Sequence, residues 1–107
     1  MVSIKGFAAR SVYNASKAAV HSFARTWIVD FKGRDIRINV LSPGYTATPG
    51  LSRFMTDDEK AAAVASVPLG RIGTPDGSRE GGGIPRLRRQ RLRHGVELFV
   101  DGGAVQI

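Results

Sequence analysis

The stretch 13–49, YNASKAAVHSFARTWIVDFKGRDIRINVLSPGYTATP, decides the architecture. Val20, Phe23, Ala24, Trp27, Ile28 and Phe31 recur at spacings of three and four, the signature of one apolar helical face. The helix is expected to start with Ser11 as its N-cap and to stop at Gly33, with Lys32 in its last turn. Ile36, Ile38 and Val40 then alternate with Arg37 and Asn39, which predicts a strand over Ile36–Leu41, ended by Pro43 and Gly44. A long helix feeding a strand through a short turn is the second half of a βαβ unit. The fold class expected is therefore α/β.

Working outward, residues 45–54 (YTATPGLSRF) read as a loop from their Thr, Pro and Gly content. Thr56 and Glu59 have the spacing of a capping box ahead of an alanine-rich helix that Pro68 stops. Near the end, Val96, Leu98 and Val100 alternate into a short strand, expected to lie parallel to the first, before a Gly-Gly turn. At 107 residues the chain is one small domain at most, or part of a larger one, and it has no internal repeat. It has no cysteine, which excludes disulfides and thiolate metal sites; no metal site is expected. No apolar run approaches the roughly 20 residues of a membrane span, and MVSIKGF lacks the apolar core of a signal peptide. A cytoplasmic protein without membrane partners is expected.

Tyr13 and Lys17 are four apart, one turn from each other on one helical face. An ammonium held beside a phenol stabilises the phenolate. The tyrosine can then pass a proton to or from a carbinol or carbonyl oxygen. Alone, this spacing more often marks an exposed helical pair, and Pro43-Gly44 alone more often marks an ordinary strand-ending turn.

The surroundings change that balance. The Tyr-x-Ala-Ser-Lys-Ala-Ala run, then IRINVLSPG on a strand, then Thr48 four residues after Gly44 closely resemble the short-chain dehydrogenase/reductase family. PLGRIGTPD and FVDGG resemble further family segments in the right order, so the likeness covers 1–76 and 95–107. It implies the C-terminal half of a doubly wound, Rossmann-like parallel sheet, a single partial domain. It implies hydride transfer between NAD or NADP and a small carbonyl or alcohol substrate, with Tyr13 as general acid/base and Lys17 holding the nicotinamide ribose. Pro43, Gly44, Tyr45, Thr46 and Thr48 would form the loop against the nicotinamide. It also implies that relatives form homo-oligomers. The family's catalytic serine, thirteen residues before the tyrosine, would fall ahead of Met1, and the only G-x-x-x-G-x-G spacing, at 77–83, lacks the preceding strand and following helix of a phosphate loop. The expectation is a truncated fragment without activity of its own, or a non-catalytic partner of a longer relative.

The net charge is +7, of which +5 falls in the 18 residues 77–94, GSREGGGIPRLRRQRLRH. Arg79, Arg86, Arg88, Arg89, Arg91 and Arg93 face only Glu80 there. Three consecutive glycines and a proline disfavour a helix, so the segment is expected to be irregular. It could be a nucleic-acid arm acting through 86–93, since arginines neutralise phosphates. No aromatic residue is interleaved for base stacking, so no nucleic-acid partner is expected. It could be a solvated loop, the usual fate of a charge run. The third reading is a frame shift. One allowed set of codons, read one base on, gives EAAKAVAFLASDDSAYV and then a threonine codon short of one base. This is an amphipathic helix and a turn of the kind the resembling family carries there, with no gap in length, and it is the reading we favour.

Overall fold

The computed structural model describes residues 10–83 and 91–106. Helix α1 spans Ser11–Asp30, strand β1 Val40–Pro43, helix α2 Pro49–Phe54, helix α3 Asp57–Ser66, helix α4 Pro75–Gly83 and strand β2 Glu97–Val100. The strands pair in parallel, Val40 opposite Glu97 and Pro43 opposite Val100. A parallel pair needs a crossover, and α2 to α4 supply it.

Side chains alternate across a strand, so each strand serves two faces. On one face Ser42 and Glu97 meet α1: Ser42 Oγ donates to Glu97 Oε1 at 2.6 Å, and His21 Nδ1 lies 3.4 Å from Glu97 Oε2. On the other face Leu41 and Val100 meet α4 at Gly82 and Gly81. Helices thus cover both faces of the sheet, the layering of a doubly wound α/β fold. The core is thin. Its buried apolar members are Ala24, Ala63, Val67 and Ala104, and among the described residues no large side chain is fully buried.

Several expectations need correction. Ser11 is the first helical residue of α1, not its cap; Arg10 holds that place and makes no side-chain cap bond. The apolar stripe divides. His21, Ala24, Ile28 and Phe31, at helical spacing, are the buried or half-buried positions, whereas Val20, Phe23 and Trp27 are exposed. Phe23 and Trp27 stack on each other at 5.8 Å instead. The stripe is wider than the single surface that two strands offer it.

Strand β1 begins at Val40, not Ile36. Before it, the chain is held through side chains rather than a ladder. Asn39 Nδ2 donates to the Arg93 carbonyl, the Val96 N–H donates to Asn39 Oδ1, and the Ile38 N–H donates to His94 Nδ1. Residues 45–54 are not all loop, because Thr48 Oγ1 accepts from the Leu51 N–H and starts α2 with Pro49 at its first position.

The segment 77–94 is not irregular throughout. Residues 77–83 belong to α4, despite glycines that each cost a helix about 1 kcal/mol relative to alanine. The Gly77 N–H donates to Thr74 Oγ1 at 3.1 Å, Pro75 opens the first turn, and Asp76 pairs with Arg79 at 3.3 Å. The missing side chains also let the helix lie close on Val100. Arg86, Arg88 and Arg89, on which the nucleic-acid reading chiefly rests, lie outside the described residues, as does MVSIKGF.

Candidate active site

Tyr13 and Lys17 stand in the first two turns of α1, both exposed. The Lys17 ammonium sits over the Tyr13 ring, 5.4 Å from its centroid, a cation–π distance. The Ser16 hydroxyl donates to the Tyr13 carbonyl at 2.7 Å and so turns back onto its own helix. Tyr13 borders an open cleft of about 480 Å³, lined also by Arg10, Ser11, Val12 and Phe54. Phe54 ends α2, the helix that Thr48 caps. The predicted proton-transfer residue and the end of the predicted cofactor loop's helix therefore border one space.

The loop itself leaves the C-terminal end of β1, where parallel sheets present ligand sites. It is held on two sides. Gly44 donates its N–H to the Val100 carbonyl at 3.1 Å, and a Cβ there would stand 2.7 Å from Asp101 Cα. Only glycine allows the two strand ends to come this close. On the other side Gly73 donates to the Tyr45 carbonyl at 2.8 Å and accepts from Ala47 N–H at 2.9 Å, bridging Thr46 in parallel register. Thr46 Oγ1 donates to the Gly44 carbonyl at 3.2 Å. Pro43 is the last residue of β1, Tyr45 and Thr46 are half-buried, and Thr48 is exposed at the α2 cap.

Two supports escaped the sequence reading. Asp101, buried behind Gly44, accepts from the Gly103 and Val105 N–H groups at 3.0 Å each and folds the turn that backs the loop. Gly73 is the second. The VDGG run carries the signal for the first, an acceptor followed by two glycines; Gly102, at φ 65°, adopts a backbone that favours glycine. Nothing in GRIGTP marks Gly73 as a strand-like partner. Among the described residues no cluster of His, Asp or Glu could hold a metal ion, and no helix is long and apolar enough to cross a membrane.

Comparison with known proteins bears on this arrangement. Residues 1–104 match the family model described as enoyl-(acyl carrier protein) reductase. The chain is 37% identical over 103 residues to carbonyl reductase family member 4 of Danio rerio, covering 96% of this chain and 41% of that protein. A solved structure of a short-chain dehydrogenase/reductase family protein superposes with a TM-score of 0.87 at 34% identity, over 100% of this chain and 43% of that one. A structure assigned as an NAD(P)-dependent gluconate 5-dehydrogenase from Beutenbergia cavernae, with bound NADP at low occupancy, gives 0.88 at 32% identity, over 100% and 43%. The chain belongs to the short-chain dehydrogenase/reductase family. It spans less than half the length of these relatives.

Proposed function

We propose that this chain carries the proton-transfer half of an NAD(P)-dependent carbonyl or alcohol oxidoreductase. The observation that carries the reading is Tyr13, one helical turn from Lys17, bordering the same cleft as Phe54, which ends the helix that follows the 43–48 loop. Pro43, Gly44, Tyr45, Thr46 and Thr48 fit a flat aromatic amide. They lie at the open end of a parallel strand, and both sides of the loop are already pinned, so little ordering remains to oppose binding. A nicotinamide cofactor, when bound, supplies or accepts the hydride. Tyr13 Oη gives a proton to the substrate's carbonyl oxygen in reduction and takes it back in oxidation. The Lys17 ammonium, over the Tyr13 ring, has donors for a ribose hydroxyl. Phe54 and Val12 give the cleft an apolar wall for a substrate carbon skeleton.

The only G-x-x-x-G-x-G run, residues 77–83, lies within helix α4 with no strand leading into it, unlike the strand-to-helix loop that cradles a cofactor's phosphates. The isolated 107-residue chain is therefore expected to show no turnover of NAD(P)H with carbonyl substrates and no saturable NAD(P)H binding by calorimetry. Turnover by the isolated chain that vanishes in Tyr13→Phe would overturn the expected inactivity.

A further inference from the structure

We propose that residues 77–94 are the out-of-frame translation of a segment whose in-frame text writes α4, a polar turn and the approach to β2. One base is gained at codon 77 and one lost at codon 94. The in-frame text used below is one of those the synonymous codons permit, and the structure is compatible with it at three places.

The first observation is the start of α4. Thr74 Oγ1 accepts from the N–H of residue 77, which is half of a capping box. The other half requires Glu at that third position, as Thr56 and Glu59 show in the complete box that opens α3. The in-frame text reads Gly77→Glu.

The second is the face α4 turns to the sheet. Gly81 is buried against Val100, Gly82 approaches Leu41, and Ser78 is half-buried, while Arg79 and Glu80 are exposed. The positions that meet the sheet thus offer two apolar side chains no side chain in return. The in-frame text reads Ser78→Ala, Gly81→Ala and Gly82→Val on that face and Glu80→Lys on the exposed one. A Cβ on Gly81 would come within 2.6 Å of Val100 Cγ2, so the in-frame helix sits slightly further from the sheet or turns that valine.

The third is the far end. Arg93 joins β1 through its carbonyl, and Gly95 through its N–H to the Ile38 carbonyl, groups that any residue supplies. Leu92 is 98% exposed. His94 Nδ1 accepts from the Ile38 N–H, and the threonine of the in-frame text carries an acceptor oxygen as well. The genetic code explains the arginines. A CGN codon followed by a codon starting with C reads GNC one base on, which means Ala, Asp, Val or Gly. An arginine run is what alanine- and aspartate-containing helix and turn text becomes when displaced.

The test has two arms. Sequencing the gene on both strands fixes the synonymous bases that are free at protein level. The expected result is either a restored frame, or codons whose displaced reading gives Glu at 77 and Ala or Val at 78, 81 and 82. Displaced codons for Gly or Glu at both 81 and 82 overturn the proposal. The second arm compares two variants of the chain by hydrogen exchange of the α4 amides and by thermal melting. One carries Gly77→Glu, Ser78→Ala, Gly81→Ala, Gly82→Val and Gly83→Ala; the control carries alanine at all five positions, which supplies helix propensity alone. The first is expected to protect α4 at least tenfold more than the control. Equal protection in the two overturns the proposal.

Discussion

Gly44 ties the strand ends to the loop proposed for cofactor binding. Its Cβ-free approach to Asp101 cannot be kept by any other residue. Gly44→Ala should lower stability by about 1–3 kcal/mol, the usual cost of overpacking, and should displace the 45–48 loop. Thermal melting reads the first effect, and loss of the amide protection of Ala47 reads the second. Asp101→Ala should cost less in packing but leave the Gly103 and Val105 N–H groups without their acceptor. At this scale Tyr13, Lys17 and the Pro-Gly turn were legible because their spacing is local. Gly73 was not, since its partners Tyr45 and Ala47 lie more than 25 residues away and hydrogen bonds between backbone groups leave no mark on residue type; the bonds of Asp101 are local, but its place behind Gly44 depends on a contact between distant segments.

Among the elements, α3 is the one whose start is fully encoded. Thr56 and Glu59 exchange bonds at 3.2 and 2.7 Å. The hydrogen bond from the Thr56 backbone N–H, and then that with its hydroxyl, holds the Glu59 carboxyl below the ordinary glutamate value. A depressed carboxyl contributes stability above its unfolded pKa and loses it as pH falls through the folded one. The first turn of α3 should therefore fray only on the acid side of the ordinary glutamate value, as pH falls through the lowered folded one, and Glu59→Gln should remove that pH dependence. Amide exchange at Glu59 and Lys60 across pH 3–6 measures it; fraying that begins near neutrality would contradict the assignment. In α1 the periodicity correctly marked a helix but not which part of a broad stripe meets the sheet. The strand's own residues decide that, by placing Ser42 and Glu97 opposite His21. In α4 the glycines argued against a helix, yet the cap at Thr74 and contact with the sheet prevail over propensity.

At the scale of the molecule, two strands, three alanines and Val67 make a small core among the described residues, and the radius of gyration, 15.4 Å, exceeds the roughly 13 Å of a compact domain of this length. Val20, Phe23 and Trp27 leave an apolar patch on α1. Trp27 is the sole tryptophan, so its emission reports on that patch. It should be readily quenched by acrylamide. Phe23→Ser should change stability by no more than about 0.5 kcal/mol, whereas Ala24→Glu, which buries a charge against the sheet, should unfold the packing of α1. The α/β class was readable from one helix–strand junction, because that junction admits few topologies, whereas the layering of helices on both faces of the sheet came from the family resemblance.

The central claim is that Tyr13 moves the proton in a family oxidoreductase site. It is tested most directly in a chimera with a longer relative. The N-terminal part of the Danio rerio carbonyl reductase, joined ahead of this chain at the matching position, should yield an enzyme that reduces a carbonyl substrate with NADPH. The account predicts that Tyr13→Phe in that chimera lowers kcat by about 10²- to 10⁴-fold with little change in KM. An active chimera whose kcat is unaffected by Tyr13→Phe would contradict it.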